Sequence, residues 1–250
     1  ARAFKRAGAD VVISVFKNLT GKDVMDSIAE MKENINNCHI MALSGGFSAG
    51  DEPDGSGKFI ANVLNNKDIA DAIHALLDRG GLILGICNGF QALVKSGLLP
   101  YGRLGMVTKD SPTLFRNDIN RHISQIVTTR VGTTNSPWLS GFAVGDLHTI
   151  AVSHGEGKFV VNEDFARELF ANGQVAFQYV DPLEEEPTME SPYNPNGSYY
   201  AIEGIISKNG QILGKMGHTE RFEGNLFKNI IDEGLEQPLF DNAVAYFRGE

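Results

Sequence analysis

Cys87 stands where an apolar run ends and a helical pattern begins, in the sequence GLILGICNGFQA at residues 81–92. Glycines lie two positions before it and two positions after it, at Gly85 and Gly89. A nucleophile on a sharp strand-to-helix turn needs such small neighbours, because the backbone there is strained and crowded. The start of the following helix is expected to favour the thiolate. The pattern predicts a cysteine nucleophile; the alternative is a buried cysteine that packs as a small hydrophobe.

A base for this thiol is predicted in the sequence GKMGHTERF, where His218 and Glu220 follow an apolar run. In an extended segment, residues two positions apart point the same way. The carboxylate can then hold one imidazole nitrogen while the other faces the thiol. A surface histidine or a chance pair is the alternative. No metal is expected at Cys87, His218 and Glu220, because local ligand pairs such as C-x-x-C are absent.

Acyl transfer also needs hydrogen-bond donors for the developing oxyanion. The sequence LSGGFSAGD, at Leu43–Asp51, places a glycine-rich loop after a second strand pattern. We expect N–H groups of this loop and of Asn88 to supply the donors, with an ordinary turn as the alternative. The nearby sequence DGSGKF does not make a P-loop, because no glycine stands five before Gly57 and Phe59 replaces Ser/Thr.

The elements that must position these residues follow from apolar runs and helical periodicity. The predicted strands are Val11–Phe16, Ile40–Ser44, Leu82–Ile86, Thr149–Ser153, Val175–Val180, Ala201–Ser207 and Gln211–Met216. The predicted helices are Lys22–Asn34, Asp68–Arg79, Phe90–Ser96, Glu163–Ala171, Phe222–Asp232 and Phe240–Phe247. The first three strands alternate with helices and are almost wholly apolar, which predicts a parallel sheet covered on both faces. The strand-rich second half predicts an antiparallel extension, and the acidic, proline-rich segment Asp181–Asn196 predicts a long surface loop.

Length and composition narrow the class of protein. The 250 residues suit one α/β domain, and the net charge of −9 argues against nucleic-acid binding, which needs a basic face. From these 250 residues we expect no signal peptide, no membrane helix and no disulfide framework. We therefore expect a cytoplasmic protein whose thiols stay reduced. The opening residues read as the end of a helix that stops at Gly8, and such a helix normally follows a strand. Residues 1–250 are therefore expected to be a single domain that is cut from something longer, or processed, and lacks its first strand.

The elbow and the distant GHTER sequence resemble the class I, triad-type glutamine amidotransferases. Their motif Gly-x-Cys-x-Gly-x-Gln is matched by Gly85, Cys87, Gly89 and Gln91. Four stretches, SGGFSAGD, SHGEGKF, NPNGSYYAIEGI and GKMGHTERF, resemble more narrowly the glutaminase domains of phosphoribosylformylglycinamidine synthases. The resemblance implies a flavodoxin-like three-layer sandwich with a mostly parallel central sheet and an antiparallel extension. It also implies that the chain is a C-terminal fragment of a longer synthase, with a stand-alone subunit as the alternative.

The same resemblance implies the site and its partners. It makes Cys87 the nucleophile that attacks glutamine, His218 the base and Glu220 the group that orients it. The implied substrate-binding and oxyanion positions are Gly46, Phe47, Asn88, Gln91, Ser153 and Gly155. The ammonia would pass to a synthetase domain or subunit, which would also hold ATP and magnesium, so no cofactor is expected in this domain.

One residue beside the proposed base departs from the family pattern. Relatives often have proline where this chain has Thr219, which is expected to be tolerated because the His-x-Glu spacing is unchanged. The segment Arg116-Asn117-Asp118 and the acidic loop Asp181–Glu190 look exposed. The first resembles the family's Arg-Asn segment near the elbow and is either a contact with the synthetase or the ammonia route, or a solvated loop. His154 either touches substrate or is structural.

The competing functions are a γ-glutamyl hydrolase and a non-catalytic regulatory domain of the same fold.

Overall fold

The computed structural model of the chain describes residues 1–46, 57–222, 226–227, 230 and 236–249. The strands are β1 Ile40–Leu43, β2 Leu82–Ile86, β3 Thr113–Phe115, β4 Ile123–Val131, β5 Leu147–His154, β6 Lys158–Val160, β7 Val175–Val180, β8 Ile202–Ile206 and β9 Ile212–Lys215. The helices are α1 Arg2–Arg6, α2 Gly21–Asn37, α3 Lys58–Leu64, α4 Lys67–Asp78, α5 Asn88–Ser96, α6 Leu98–Tyr101, α7 Glu163–Ala171 and α8 Leu239–Arg248. Short 3-10 turns cover Pro137–Leu139, Tyr199–Ala201 and Thr219–Arg221. None of the helices described is long and apolar enough to cross a bilayer.

Seven of the strands form one mixed sheet in the order β1-β2-β9-β8-β7-β4-β5. β1, β2 and β9 are parallel neighbours, and the pairings from β9 outward to β5 are antiparallel. β3 and β6 form a separate antiparallel pair. The predicted α/β class with an antiparallel extension is confirmed, and among the described strands the extension is the larger part of the sheet.

The central strands of the sheet are buried from solvent. Every residue of β2, β8 and β9 is buried, so other parts of the chain cover both faces of these strands. Strands in this situation read as continuous apolar runs. That is why the sequence predicts the bounds of all three to within one residue. On the helical side, α4 begins after Asn66, whose side-chain oxygen accepts a hydrogen bond from the N–H of Asp68.

The parallel part of the sheet positions the functional residues. β2 leads directly into α5 with Cys87 between them. β9 lies beside β2, with Ile86 in register with Lys215, and it leads to His218. β1 lies on the other side of β2 and leads to the loop of Gly45. The carboxyl ends of all three strands therefore meet at one edge, where open α/β sheets bind ligands.

The predicted strand Val11–Phe16 is wrong. The structure gives this segment no regular secondary structure, and the side chains of Val12, Ile13 and Val15 are exposed. A strand depends on backbone hydrogen bonds from a neighbour, and no described strand pairs with this segment. The apolar pattern therefore does not produce a strand here.

Two other predicted segments have different outcomes. Asp181–Asn196 contains no helix or strand and is largely exposed, as predicted, but Asn194 and Asn196 at its end are buried. The helix predicted over Phe222–Asp232 falls mostly outside the described residues and stays a prediction.

Candidate active site

The turn at Cys87 has the strained geometry expected of a nucleophile elbow. Cys87 has φ 53° and ψ −107°, a positive φ that is unusual for a residue with a side chain. A Cβ added at Gly89 would lie 2.2 Å from the carbonyl oxygen of Leu43, and one at Gly85 would lie 2.5 Å from Leu93 Cδ1. Both positions therefore admit only glycine, because the backbone of α5 passes so close to β1 and β2.

The thiol of Cys87 is almost completely enclosed. The residue is 6 % exposed, and its Sγ lies 3.7 Å from the carbonyl oxygen of Ser153. Burial raises the pKa of Cys87 to about 11, and the amides of Asn88 and Gly46 and the charge of Arg221 only partly oppose this rise. The amide of Asn88, at the start of α5, lowers the pKa of the thiol as expected, but burial has the larger effect. The thiol keeps its proton and needs a base to remove it.

His218 has the orientation that such a base requires. Its Nδ1 lies 2.7 Å from Glu220 Oε1, and its Nε2 is buried and has no hydrogen-bond partner among the described residues. Burial alone would raise the pKa of Glu220, but the hydrogen bond and charge of His218 hold it below its ordinary value. Because the carboxylate accepts a hydrogen bond from Nδ1–H, the neutral imidazole keeps its proton on Nδ1 and Nε2 is free to accept another proton.

The nucleophile and the base border the same narrow space. A Cβ added at Gly45 would lie 3.0 Å from His218 Cε1 and 3.2 Å from Cys87 Cβ. The two side chains approach this point from the carboxyl ends of β9 and β2. The N–H of His218 also donates to the carbonyl oxygen of Ala151, 2.8 Å away, which ties the histidine to β5. The structure therefore brings together the residues that the sequence places 131 positions apart.

Donors for an oxyanion lie beside the sulfur. The backbone amides of Asn88 and Gly46 both act on the thiol and lower its pKa. Gly46 has φ +125°, and no atom of the described residues lies within 4 Å of the place where its Cβ would stand. Phe47, the third residue implied at this position, lies outside the described residues.

The residues implied in glutamine binding differ in what they face. Ser153 presents its carbonyl oxygen to the thiol, and its Oγ lies 3.1 Å from His122 Nε2. Within the part of the chain that the structure describes, no atom lies within 4 Å of a Cβ placed on Gly155. The side-chain amide of Gln91 is buried and donates to the carbonyl oxygen of Glu156. Gln91 thus holds the loop after β5 in place, and its direct contact with substrate remains a prediction.

Asn117 corrects the expectation that the Arg116–Asp118 segment is an exposed insertion. Arg116 is partly buried and Asp118 is exposed, but Asn117 is only 2 % exposed. Its Nδ2 donates to the carbonyl oxygens of His154 and Arg121, at 2.8 and 3.0 Å. Its Oδ1 accepts from the N–H of Gly157 at 3.0 Å. Asn117 therefore fastens the loop that follows Ser153, a role for which the sequence gives no local signal.

His154 is held by the same asparagine. Its Nδ1 lies 3.2 Å from Asn117 Oδ1, and the residue is 2 % exposed. Burial lowers the pKa of His154 to about 3, and the neighbouring His218 and His122 lower it further. His154 is therefore neutral. Its contact with Asn117 fits the structural role and not the alternative of touching substrate.

The sequences NPNGSYYAIEGI and SHGEGKF pack against each other. Asn196 Nδ2 donates to the carbonyl oxygen of Gly157 at 2.9 Å, and Ser198 Oγ accepts from the N–H of Phe159 at 3.0 Å. The loop beside the thiol is therefore fixed from two sides, by Asn117 and by this pair. Among the described residues, no group of three or more His, Cys, Asp or Glu side chains could hold a metal ion.

A mixed α/β sheet with a cysteine elbow and a carboxylate-held histidine at one edge is the arrangement of a class I glutamine amidotransferase. The chain belongs to the family of CobB/CobQ-like glutamine amidotransferase domains, which matches residues 1–247. It is 35% identical over 264 residues to phosphoribosylformylglycinamidine synthase subunit PurQ of Methanococcus maripaludis, covering 99% of this chain and 92% of that one. It is 33% identical over 214 residues to the subunit PurQ of Gloeobacter violaceus, covering 86% and 84% of the two chains.

A solved structure agrees with these relatives. The chain resembles a chain of the PurLQS structure from Thermotoga maritima with a TM-score of 0.61 and 26% sequence identity. The match covers 89% of this chain and 92% of that chain. Fold and sequence therefore point to the same family.

Proposed function

We propose that this chain hydrolyses L-glutamine to glutamate and ammonia and supplies the ammonia to a phosphoribosylformylglycinamidine synthase. The observation that carries the proposal is the position of His218. Its Nδ1 is held by Glu220, its Nε2 has no hydrogen-bond partner among the described residues, and its Cε1 lies with Cys87 Cβ beside Gly45. The similarity to PurQ subunits over most of the chain supports the choice of synthase. In that reaction the ammonia converts formylglycinamide ribonucleotide to its amidine.

The first half of the reaction forms a thioester. Because the buried thiol is protonated, His218 Nε2 accepts its proton as the sulfur attacks the side-chain amide carbon of glutamine. The carbonyl electron pair moves onto oxygen, where the amides of Gly46 and Asn88 stabilise the negative charge. When the tetrahedral intermediate collapses, the C–N bond breaks and His218 returns the proton to the departing nitrogen. Ammonia leaves, and the γ-glutamyl group remains on Cys87.

The second half releases glutamate. His218 accepts a proton from water as the water oxygen attacks the thioester carbon. The C–S bond then breaks, the sulfur regains its proton from His218, and glutamate leaves. Glu220 holds the imidazole in one tautomer throughout and stabilises the imidazolium that forms twice in each cycle.

The partner in this proposal is a synthetase domain or subunit that receives the ammonia. ATP and magnesium belong to that partner, where the ligation takes place. We also expect the enzyme to act in the cytoplasm, because a nucleophilic thiol persists in a reducing compartment.

Intact mass after incubation with an electrophilic glutamine analogue tests this function in the complete enzyme. We expect one adduct on Cys87, which excess glutamine prevents and the Cys87→Ala variant lacks. An adduct on the half-buried Cys38, or labelling that glutamine does not slow, would contradict the proposal. Faster turnover of a γ-glutamyl peptide than of free glutamine would favour a γ-glutamyl hydrolase instead.

A further inference from the structure

Two opposite charges lie completely buried behind the site. Lys215, the last residue of β9, and Glu203, in β8, are both 0 % exposed, and Lys215 Nζ lies 3.7 Å from Glu203 Oε1. Lys215 Nζ also lies 4.9 Å above the centre of the Phe177 ring. Burial lowers the pKa of Lys215, while the charges of Glu203 and Glu220 oppose that change. A buried ion pair is seldom more stable than an apolar pair of the same size, so stability alone does not account for it.

Lys215 contacts both halves of the site. Its carbonyl oxygen accepts a hydrogen bond from the N–H of Cys87 at 2.8 Å. Its ammonium group donates to Thr219 Oγ1 at 3.1 Å and to Gln237 Oε1 at 2.8 Å. One residue thus binds the backbone of the nucleophile and the side chain next to the base.

Glu203 holds the other side of the base. Its Oε1 accepts a hydrogen bond from the N–H of Gly217 at 2.5 Å. A Cβ at Gly217 would lie 2.8 Å from the same oxygen and 2.9 Å from Ile150 Cδ1, so the space is full. Gly217 and Thr219 flank His218, and each is held by one member of the buried pair.

Thr219 completes the connection. Its hydroxyl accepts from Lys215 and donates to Gln237 Oε1 at 2.7 Å. Thr219 is 5 % exposed and Gln237 is 3 % exposed, so both are nearly inaccessible to solvent. A residue without a hydroxyl at this position would make neither bond. Thr219, which from the sequence is expected only to be tolerated, is therefore part of a connected buried network.

We propose that Glu203, Lys215 and Thr219 are positioning residues that hold His218 in line with Cys87. They act on the histidine through the backbone and side chains of its two neighbours. The inference rests on the proposed glutaminase function, because it assigns these residues to the orientation of that enzyme's base. A network that only stabilised the fold would affect the thermal midpoint and not the rate.

The test compares Thr219→Val, which removes the hydroxyl at nearly constant volume, with Thr219→Ser, which keeps it. The matched control is Thr129→Val, which removes a buried hydroxyl that donates to the carbonyl oxygen of His148. Lys215→Met is compared with Lys32→Met, which removes an exposed lysine paired with Asp68. Glutaminase kcat, KM and Tm are measured on the complete enzyme, together with the NMR signal of the His218 Nδ1 proton.

We expect Thr219→Val to lower kcat by roughly 10- to 100-fold with KM little changed, because small misplacements of a catalytic group have effects of that size. It should also shift the His218 proton signal. Thr219→Ser should restore both, and the two controls should change neither. Lys215→Met leaves a buried charge unpaired, so the threonine pair keeps the test decisive if that variant does not fold.

A Thr219→Val variant with wild-type kcat and an unchanged His218 signal would overturn the proposal, even if its Tm fell. Absence of glutaminase activity in the wild-type enzyme would instead refute the proposed function. In that event the His218 signal, which does not depend on turnover, still decides whether the network positions the histidine.

Discussion

The N–H of Cys87 donates a hydrogen bond to the carbonyl oxygen of Lys215, 2.8 Å away. This bond extends the parallel pairing of β2 and β9 by one step past the end of β2. The backbone of the nucleophile is therefore fixed to the strand that leads to His218. Because sheet register sets the approach of the two residues, their side chains can be removed without disturbing the frame that holds them.

That independence defines the first prediction, on Cys87→Ala. The variant should lose glutamine-dependent synthesis in the complete enzyme while synthesis from added ammonia persists, because ammonia bypasses the thioester. Both activities are measured as amidine product formed. The matched control is Cys38→Ala, since Cys38 is the other free cysteine and precedes β1. Loss of both activities in Cys87→Ala would mean that the residue supports the fold.

The second prediction concerns alkaline stability. Burial raises the pKa of Cys87 from 9.0 to about 11, so the folded chain binds the thiol proton more tightly than the unfolded chain does. The resulting stabilisation is fully present below about pH 9 and is lost as the pH rises to about 11. It amounts to on the order of 2–3 kcal/mol, because one pKa unit corresponds to about 1.4 kcal/mol.

Urea unfolding near neutral pH and near pH 11 measures this effect. The free energy of unfolding of the wild type should fall more than that of Cys87→Ala across the interval. All other groups titrate in both proteins, including Cys38, so their contributions cancel. Equal losses in the two proteins would show that the thiol proton is not held as described.

The sequence predicts the reactive centre better than the loops that support it. Cys87 and His218 are recognisable because the chemistry restricts their neighbours, glycine beside the elbow and a carboxylate two positions from the histidine. The central strands are recognisable because burial on both faces makes them almost continuously apolar, with Glu203 and Lys215 as the charged exceptions. Helix α3, by contrast, has seven residues, too few to show a clear period.

Other features depend on contacts that no local pattern encodes. Asn117 is polar and lies in a segment that reads as a loop, yet it is buried because the backbone of the loop after β5 surrounds it with donors and acceptors. Val12 and Ile13 are apolar, yet they are exposed because no described strand pairs with them. At Cys87, the local sequence predicts the helix start that lowers the pKa of the thiol, but it does not predict the burial that raises the pKa further.

The third prediction ranks the base and its orienting group. His218→Ala should lower glutaminase kcat by about 10²–10⁴-fold, the usual contribution of a general base. Glu220→Gln should lower it less, because the glutamine oxygen can still accept the Nδ1 proton and only the charge is lost. The matched control is Glu186→Gln, which changes a carboxylate in the surface loop that pairs with Arg130. A larger loss in Glu220→Gln than in His218→Ala would refute these roles.

The fourth prediction separates the glycine that shapes the elbow from the glycine expected to face substrate. At Gly89 an added Cβ meets the carbonyl oxygen of Leu43 at 2.2 Å, and backbone on both sides cannot give way. Gly89→Ala should therefore lower the free energy of unfolding by about 1–3 kcal/mol or more, the usual cost of overpacking. It should also slow labelling of Cys87 by the glutamine analogue.

Gly155→Ala is the matched substitution, because a Cβ there meets no atom of the described residues within 4 Å. Its free energy of unfolding should stay within about 0.5 kcal/mol of wild type, as at other unobstructed positions. If glutamine occupies that open space, the added methyl group should raise KM for glutamine and leave the rate of ammonia-dependent synthesis unchanged. An unchanged KM would remove Gly155 from the glutamine site, whereas a stable Gly89→Ala variant with normal labelling would contradict the close packing described at the elbow.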